Sequence, residues 1–184
     1  MNNIVKVKKL NEKARIPCRA TEGSAGADLY ACIDEPVTIR PGELVKIPVG
    51  IAIELSSPGY AAFLFARSGL GVKHGICLSN GVGVVDSDYR GEICVGLCNV
   101  SDKEYTVAPD ERIAQMVIMP VCCASFVQAD ELGETDRGEG GFGSSGIVGG
   151  GIAGGIAGQE AMKKGLDSIL PSALSKGSSK RHHH

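Results

Sequence analysis

Short runs rich in Val, Ile and aromatic residues recur from the start of the chain to about residue 128. Ile4–Lys8, Leu44–Ile47, Ile51–Leu55, Ala61–Ala66, Val82–Val85, Ile93–Asn99, Tyr105–Val107, Ile113–Met119 and Val121–Val127 read as strands. Turn clusters separate them, among them Arg40-Pro41-Gly42-Glu43, Ser56-Ser57-Pro58-Gly59 and Ala108-Pro109-Asp110-Glu111. No segment before residue 158 sustains a helical period. The pattern predicts an all-β sandwich or barrel over residues 1–128. Residues 129–146 follow as a polar, Gly-rich arm with no strand signal.

The pattern changes after Gly146. Residues 147–158 are almost only Gly, Ala, Ile and Val. From Gln159 to Lys176, Met162, Leu166, Ile169, Leu170 and Leu174 recur at roughly helical spacing, and Pro171 ends or kinks the segment. Residues 147–176 read as an appended peptide able to make weak contact with a membrane or a partner. Residues 177–184 read as a tail with a partial His tag.

Composition narrows the class. The formal net charge of −2 provides no global basic field, so polymeric nucleic acid is not an expected partner. Seven cysteines lie scattered, mostly inside apolar runs, with no C-x-x-C pair. They read as small core residues of a reducing compartment. Lys6, Lys8 and Lys9 interrupt any N-terminal apolar run, and no stretch approaches the roughly 20 residues of a spanning helix. A cytoplasmic location is expected.

Candidate chemistry sits at the ends of the strand runs. Arg137-Gly-Glu-Gly-Gly-Phe-Gly-Ser-Ser-Gly146 sets an arginine, one aromatic ring and two hydroxyls in a glycine-rich backbone. Exposed N–H groups and a guanidinium suit phosphate, and the ring of Phe142 suits a base. Asp86, at a strand end before a turn, is placed to orient and deprotonate water; the plainer reading is a turn residue. Asp28 lies between small residues and an apolar strand, where a carboxylate suits the water shell of Mg²⁺. Arg67-Ser68-Gly69 opens a short helical turn suited to an anion. Arg112 and Gln115 alternate with apolar neighbours on one strand.

Taken in order, these segments resemble the trimeric dUTP diphosphatase (dUTPase) family. Its five motifs match Ala25–Leu29, Ala66–Gly71, Asn80–Gly91, Arg112–Met116 and Arg137–Gly146. The resemblance implies a distorted jelly-roll, or β-clip, subunit. It implies a homotrimer with shared active sites, each closed by the C-terminal arm of a neighbouring subunit. The implied reaction is hydrolysis of dUTP to dUMP and pyrophosphate with Mg²⁺, which keeps uracil out of DNA and supplies dUMP for thymidylate synthesis. By position, Asp86 would orient the water and Asp28 would hold Mg²⁺ through its water shell. Arg67, Ser68, Gly69 and Gln115 would contact phosphates. Asn80, Gly83 and the following backbone would read uracil, with Tyr89 under the deoxyribose. Arg137, Gly143, Ser144 and Ser145 would grip the distal phosphates while Phe142 covers the base. Ser145 stands where many members carry Thr, with the hydroxyl kept. Two alternatives stand beside this reading. One is a catalytically idle trimer used as a display scaffold or regulatory binding protein. The other is a dCTP deaminase-like enzyme, opposed by Gly96 at the place of that family's glutamate base.

Overall fold

The structure is a computed structural model and describes residues 4–140. The expectations for Phe142, Gly143, Ser144, Ser145 and residues 147–184 therefore lie outside the described residues. The chain divides after Phe126 into two units.

The first unit holds eleven strands and one helix. In chain order these are β1 (Lys6–Lys9), β2 (Ala27–Tyr30), β3 (Val37–Ile39), β4 (Leu44–Pro48), β5 (Ile51–Glu54), β6 (Tyr60–Phe65), α1 (Ser68–His74), β7 (Ile76–Leu78), β8 (Gly83–Val85), β9 (Cys94–Asn99), β10 (Tyr105–Val107) and β11 (Arg112–Pro120). They pair antiparallel in four small sheets, β1-β5, β10-β3, β2-β11-β6-β8 and β4-β9-β7. Non-consecutive neighbours in every sheet tie distant segments together, as in a jelly roll.

The two-residue period decides what is buried. In β9, Val95, Leu97 and Asn99 point inward while Cys94, Gly96 and Cys98 point out. Leu29, Ile39, Ile47, Ile51, Ile76 and Ile113 join Val95 and Leu97 in one core. The one fully buried amide, Asn99, is satisfied on both sides. Its Nδ2 donates to Ile39 O and Lys103 O, and its Oδ1 accepts from the Ser101 backbone and hydroxyl. This network fixes the end of β9 against β3.

Three expectations need correction. Val121–Val127 forms no strand. The last backbone bond of this stretch runs from Val121 N–H to Gly59 O, after which Phe126 stands 97% exposed. Apolar composition without a partner strand leaves the segment extended but unpaired. Conversely, β3 and β7 arise from runs too short to stand out, because the sheet supplies their partners. The cysteines are not core residues: Cys18, Cys122 and Cys123 are exposed, and Cys32, Cys77, Cys94 and Cys98 only half-buried. Alternation sends Cys77, Cys94 and Cys98 to the outer faces of β7 and β9, while Cys18, Cys32, Cys122 and Cys123 lie outside the strands and Cys32 only packs against the core.

In the second unit, a turn spans residues 136–139, with bonds from Gly138 N–H to Thr135 O and from Gly140 N–H to Arg137 O. Arg137 Nε donates to Gly140 O at 2.9 Å, so the guanidinium folds onto its own turn. Among the described residues no helix is long and apolar enough to cross a membrane.

Candidate functional site

Two pockets gather residues from four of the five sequence motifs. The first, of about 360 Å³, is lined by Asn80, Gly83, Val84, Asp86 and Tyr89 on one side and by Glu92 to Gly96 on the other. Its geometry starts at the turn after β7. Gly81 N–H donates to Leu78 O, and Gly81 adopts φ 71°, a left-handed conformation that glycine takes without strain. The chain then enters β8, where Gly83 faces Leu64 in register. Asp86 follows β8 directly and is exposed. A turn with Tyr89 N–H donating to Asp86 O carries the chain on. The segment is not a two-stranded hairpin, because β8 pairs with β6 while β9 pairs with β4 and β7.

Tyr89 is held firmly. Its hydroxyl donates to Glu92 O at 3.0 Å, and the ring lies over the Cα of Gly91, with no room for a Cβ there. Arg90 braces the same turn, donating from Nη1 to Ser87 O and Tyr89 O. Glu92 in turn accepts from Gly50 N–H at 3.0 Å. A half-exposed aromatic plate thus stands beside an exposed carboxylate, at one end of a cavity with backbone walls.

The second pocket, of about 260 Å³, is lined by Ser24, Ala25, Gly26, Asp28, Arg67, Ser68, Gly69 and Gln115. Asp28 organises it. The residue is 9% exposed, and both carboxylate oxygens accept from arginines: Oδ1 from Arg67 Nε at 3.0 Å and Oδ2 from Arg112 Nη1 at 3.1 Å. Arg67 also donates to Arg112 O. One carboxylate against two guanidiniums leaves the cluster net positive. Arg67 keeps further donors free of these bonds, since a guanidinium has five. The helix α1 begins here with no side-chain cap, and its first intrahelical bond is Gly71 N–H to Arg67 O. Gln115 Nε2 donates to Ala66 O, and Gly26 allows the amide close approach, since a Cβ there would sit 2.6 Å from Gln115 Oε1. An arrangement of this kind suits a polyanion.

The pockets share no lining residue. Asn80, Gly83, Asp86 and Tyr89 belong to the first; Asp28, Arg67, Ser68, Gly69 and Gln115 belong to the second. Arg137 belongs to the second unit. Sequence reasoning missed Arg112 as the second holder of Asp28, and Gly91 and Glu92 as the seat of Tyr89. The β2–β11 register, which sets Gln115 opposite Asp28, brings Arg112 to that carboxylate. Only the pairing reveals it.

Magnesium finds no direct cage. Among the described residues, no three His, Cys, Asp or Glu side chains cluster to hold a metal. The oxygens of Asp28 are engaged, yet each retains a second lone pair. This donor set fits a hydrated ion carried in on a polyanion, touched through its waters. At Gly96 a Cβ would collide with Ser79 Oγ, so the wall has no space for a larger residue unless Ser79 moves.

Comparison with known proteins identifies the family. The dUTPase family model matches residues 12–146. A deoxyuridine 5'-triphosphate nucleotidohydrolase of Neisseria meningitidis serogroup B is 54% identical over 148 residues, 79% of this chain and 99% of the relative. One from Burkholderia cenocepacia is 56% identical over 131 residues, 71% of this chain and 88% of the relative. Among solved structures, a dUTPase variant of Staphylococcus bacteriophage 80alpha with dUpNHpp superposes with a TM-score of 0.71 at 28% identity, covering 79% of this chain and all of that one. A dUTPase variant from phage phi11 of S. aureus, described by its coordination of a structural Mg(II) ion, has a TM-score of 0.64 at 23% identity over 72% of this chain and 100% of its own. With a matching family model over most of its length and relatives above half identity, the chain belongs to the dUTPase family.

Proposed function

We propose that this protein hydrolyses dUTP to dUMP and pyrophosphate, taking the nucleotide as its Mg²⁺ complex. The observation that carries the reading is the sorting of motif residues into a base-sized pocket and a polyanion cradle. Uracil enters the first pocket against the backbone around Asn80 and Gly83. The deoxyribose lies on Tyr89, whose anchored ring leaves no space for a 2′-hydroxyl. Rejection by clash discriminates more strongly than the small gain from one extra contact.

The position of Asp86 selects the bond. With base and sugar seated, the first phosphate to emerge is the α-phosphate, and Asp86 stands at that end of the pocket. There it accepts a proton from water as general base. The water oxygen bonds to the α-phosphorus as the bond from that phosphorus to the α–β bridging oxygen breaks, and pyrophosphate leaves into the cradle of Arg67, Ser68, Gly69 and Gln115. Bound Mg²⁺ would offset the charge of the triphosphate, and Asp28 would accept from its water shell. Asp28 also holds Arg67 and Arg112 in place, so the positive end is set before substrate arrives. Arg137, Phe142, Gly143, Ser144 and Ser145 close over the nucleotide from the C-terminal arm, excluding water.

Each chain carries both half-sites in separate pockets, which supports a homotrimer with sites shared between copies. An apolar row on the outer face of the four-stranded sheet supports the same assembly. Val84, 58% exposed, aligns with Phe63 and Val117 across β8, β6 and β11. The free thiols suit the reducing cytoplasm.

Side-by-side assay of dUTP, dTTP, dCTP and UTP with Mg²⁺ tests the reading. Pyrophosphate release from dUTP alone is expected. Ammonia release from dCTP would transfer the chain to the deaminase class. No turnover with any of the four would leave a binding scaffold. Sedimentation reports the trimer independently.

A further inference from the structure

The outer face of the β4-β9-β7 sheet carries a pair of groups that hydrolysis does not use. Cys77 and Cys98 stand directly opposite each other on adjacent antiparallel strands. Their sulfurs are 3.1 Å apart, with one thiol donating to the other. Ser79 N–H donates to Gly96 O and Val100 N–H to Gly75 O, which marks both flanking positions as hydrogen-bonded pairs. By the two-residue alternation, Cys77 and Cys98 form the pair between them, with Cα atoms about 5.5 Å apart. That separation lies inside the range of roughly 4.4–6.8 Å that disulfides span, so the strands stand close enough for a bond. Their strand neighbours Ile76, Leu78, Leu97 and Asn99 are buried, whereas the two thiols are only half-buried and can be reached.

We propose that Cys77 and Cys98 are a reversible thiol modification site, closing to a cross-strand disulfide by exchange with a low-molecular-weight disulfide of the glutathione class. The Cys77 thiolate attacks one sulfur of the small disulfide, breaking its S–S bond and releasing one thiolate. The Cys98 thiolate then attacks the Cys77 sulfur, closing the cross-strand bond and releasing the second thiolate. Two electrons pass from the protein pair to the small disulfide, and the two thiol protons go to solvent. The hydrogen bond shared with Cys98, which favours the protonated form, and then burial hold the Cys77 thiol above its usual range. Exchange therefore accelerates as the pH rises.

The bond has a defined place in the molecule. It ties β7, which leads to Leu78 and Asn80, to β9, which supplies Cys94, Val95 and Gly96; both are walls of the base pocket. It also closes a loop of about 21 residues. The register is unchanged, so dUTP turnover persists while the melting temperature rises by on the order of 5–10 °C.

The test incubates the full-length protein with glutathione disulfide at mildly alkaline pH, then blocks free thiols and digests with trypsin. Cleavage isolates Cys77 in the 74–90 peptide and Cys98 in the 91–103 peptide, where fragment ions separate it from Cys94. The expected product joins Cys77 to Cys98, is reversed by dithiothreitol and melts higher than the reduced protein. In Cys98→Ser the reaction stops at a glutathione adduct on Cys77, with no rise in melting. Links confined to Cys18, Cys122 and Cys123, or stable adducts on Cys77 in the unsubstituted protein, overturn the proposal. Mass and melting are read without substrate, so the result is independent of the proposed hydrolysis.

Discussion

Replacing Gly91 by alanine tests whether the position of Tyr89 sets catalysis and sugar choice. A Cβ on Gly91 would lie 2.4 Å from Tyr89 Oη, 2.6 Å from Cζ and 3.0 Å from Cε2, where ordinary contact begins at 3.4 Å. The side chain must retreat by about 1 Å to restore contact distance. It cannot do so by a small rotation, because its hydroxyl is tied to Glu92 O. A misplacement on the order of 1 Å near a reacting group costs roughly 10²-fold in rate, or about 2.7 kcal/mol of barrier. Gly91→Ala is therefore expected to lower kcat/KM for dUTP by about that factor and to narrow the dUTP/UTP ratio. The assay measures both substrates in the unsubstituted protein, Gly91→Ala, Tyr89→Ala and the double variant. If Gly91 acts only by seating the ring, its cost vanishes once the ring is gone, and the double variant matches Tyr89→Ala. Losses that add in the double variant would refute the seating argument, as would an unaltered dUTP/UTP ratio in Gly91→Ala. Melting curves separate either result from unfolding.

Asp86→Asn is expected to lower turnover by ~10²–10⁴-fold while calorimetry shows dUTP binding retained; near-normal pyrophosphate release would remove Asp86 from the mechanism. Ending the chain at Gly133 removes Arg137, Phe142, Ser144 and Ser145 but no strand among the described residues. A trimer by sedimentation with a depressed kcat/KM is expected, and equal kcat/KM would make the arm a spacer. Burial, then the hydrogen bond to Glu111, raises the Tyr105 phenol above its ordinary value near 10. The folded value exceeds the unfolded one, so that contribution is intact below about pH 10 and lost as pH rises through the folded value. Melting of Tyr105→Phe should fall less steeply above about pH 10, and parallel curves would contradict the assignment.

Strand content was legible because β-branched and aromatic runs, broken by Gly/Pro turns, follow local rules. Lys6–Lys9, Tyr60–Phe65 and Arg112–Pro120 coincide within a residue or two with runs visible in the sequence. The errors are non-local. Val121–Val127 has strand composition and no partner. Ile76–Leu78 has little composition to distinguish it and gains its status from β9. The cysteines of β9 were misplaced because an apolar run was read as wholly buried, although Cys94-Val95-Gly96-Leu97-Cys98 alternates strictly. At the site, the motifs named the side chains that face the pockets but not those that hold them. Arg112 reaches Asp28 only through the β2–β11 ladder, and Gly91 matters only because a ring lies across it. Supporting contacts of this kind depend on register and close approach, which residue spacing does not encode.

The absence of any shared lining residue between the two pockets has a genetic consequence. If copies pool their half-sites, a chain damaged at Asp86 still offers an intact cradle, and a chain damaged at Arg67 still offers an intact base pocket. Two alleles, each inactive alone, can then rebuild working sites when their products assemble together. A cell carrying both would be healthier than a cell carrying either one. Damage to the core would behave differently, since a chain unable to fold has no half-site to contribute. A partition of one active site over two surfaces would therefore sort inactivating mutations into those that a companion chain can rescue and those that it cannot.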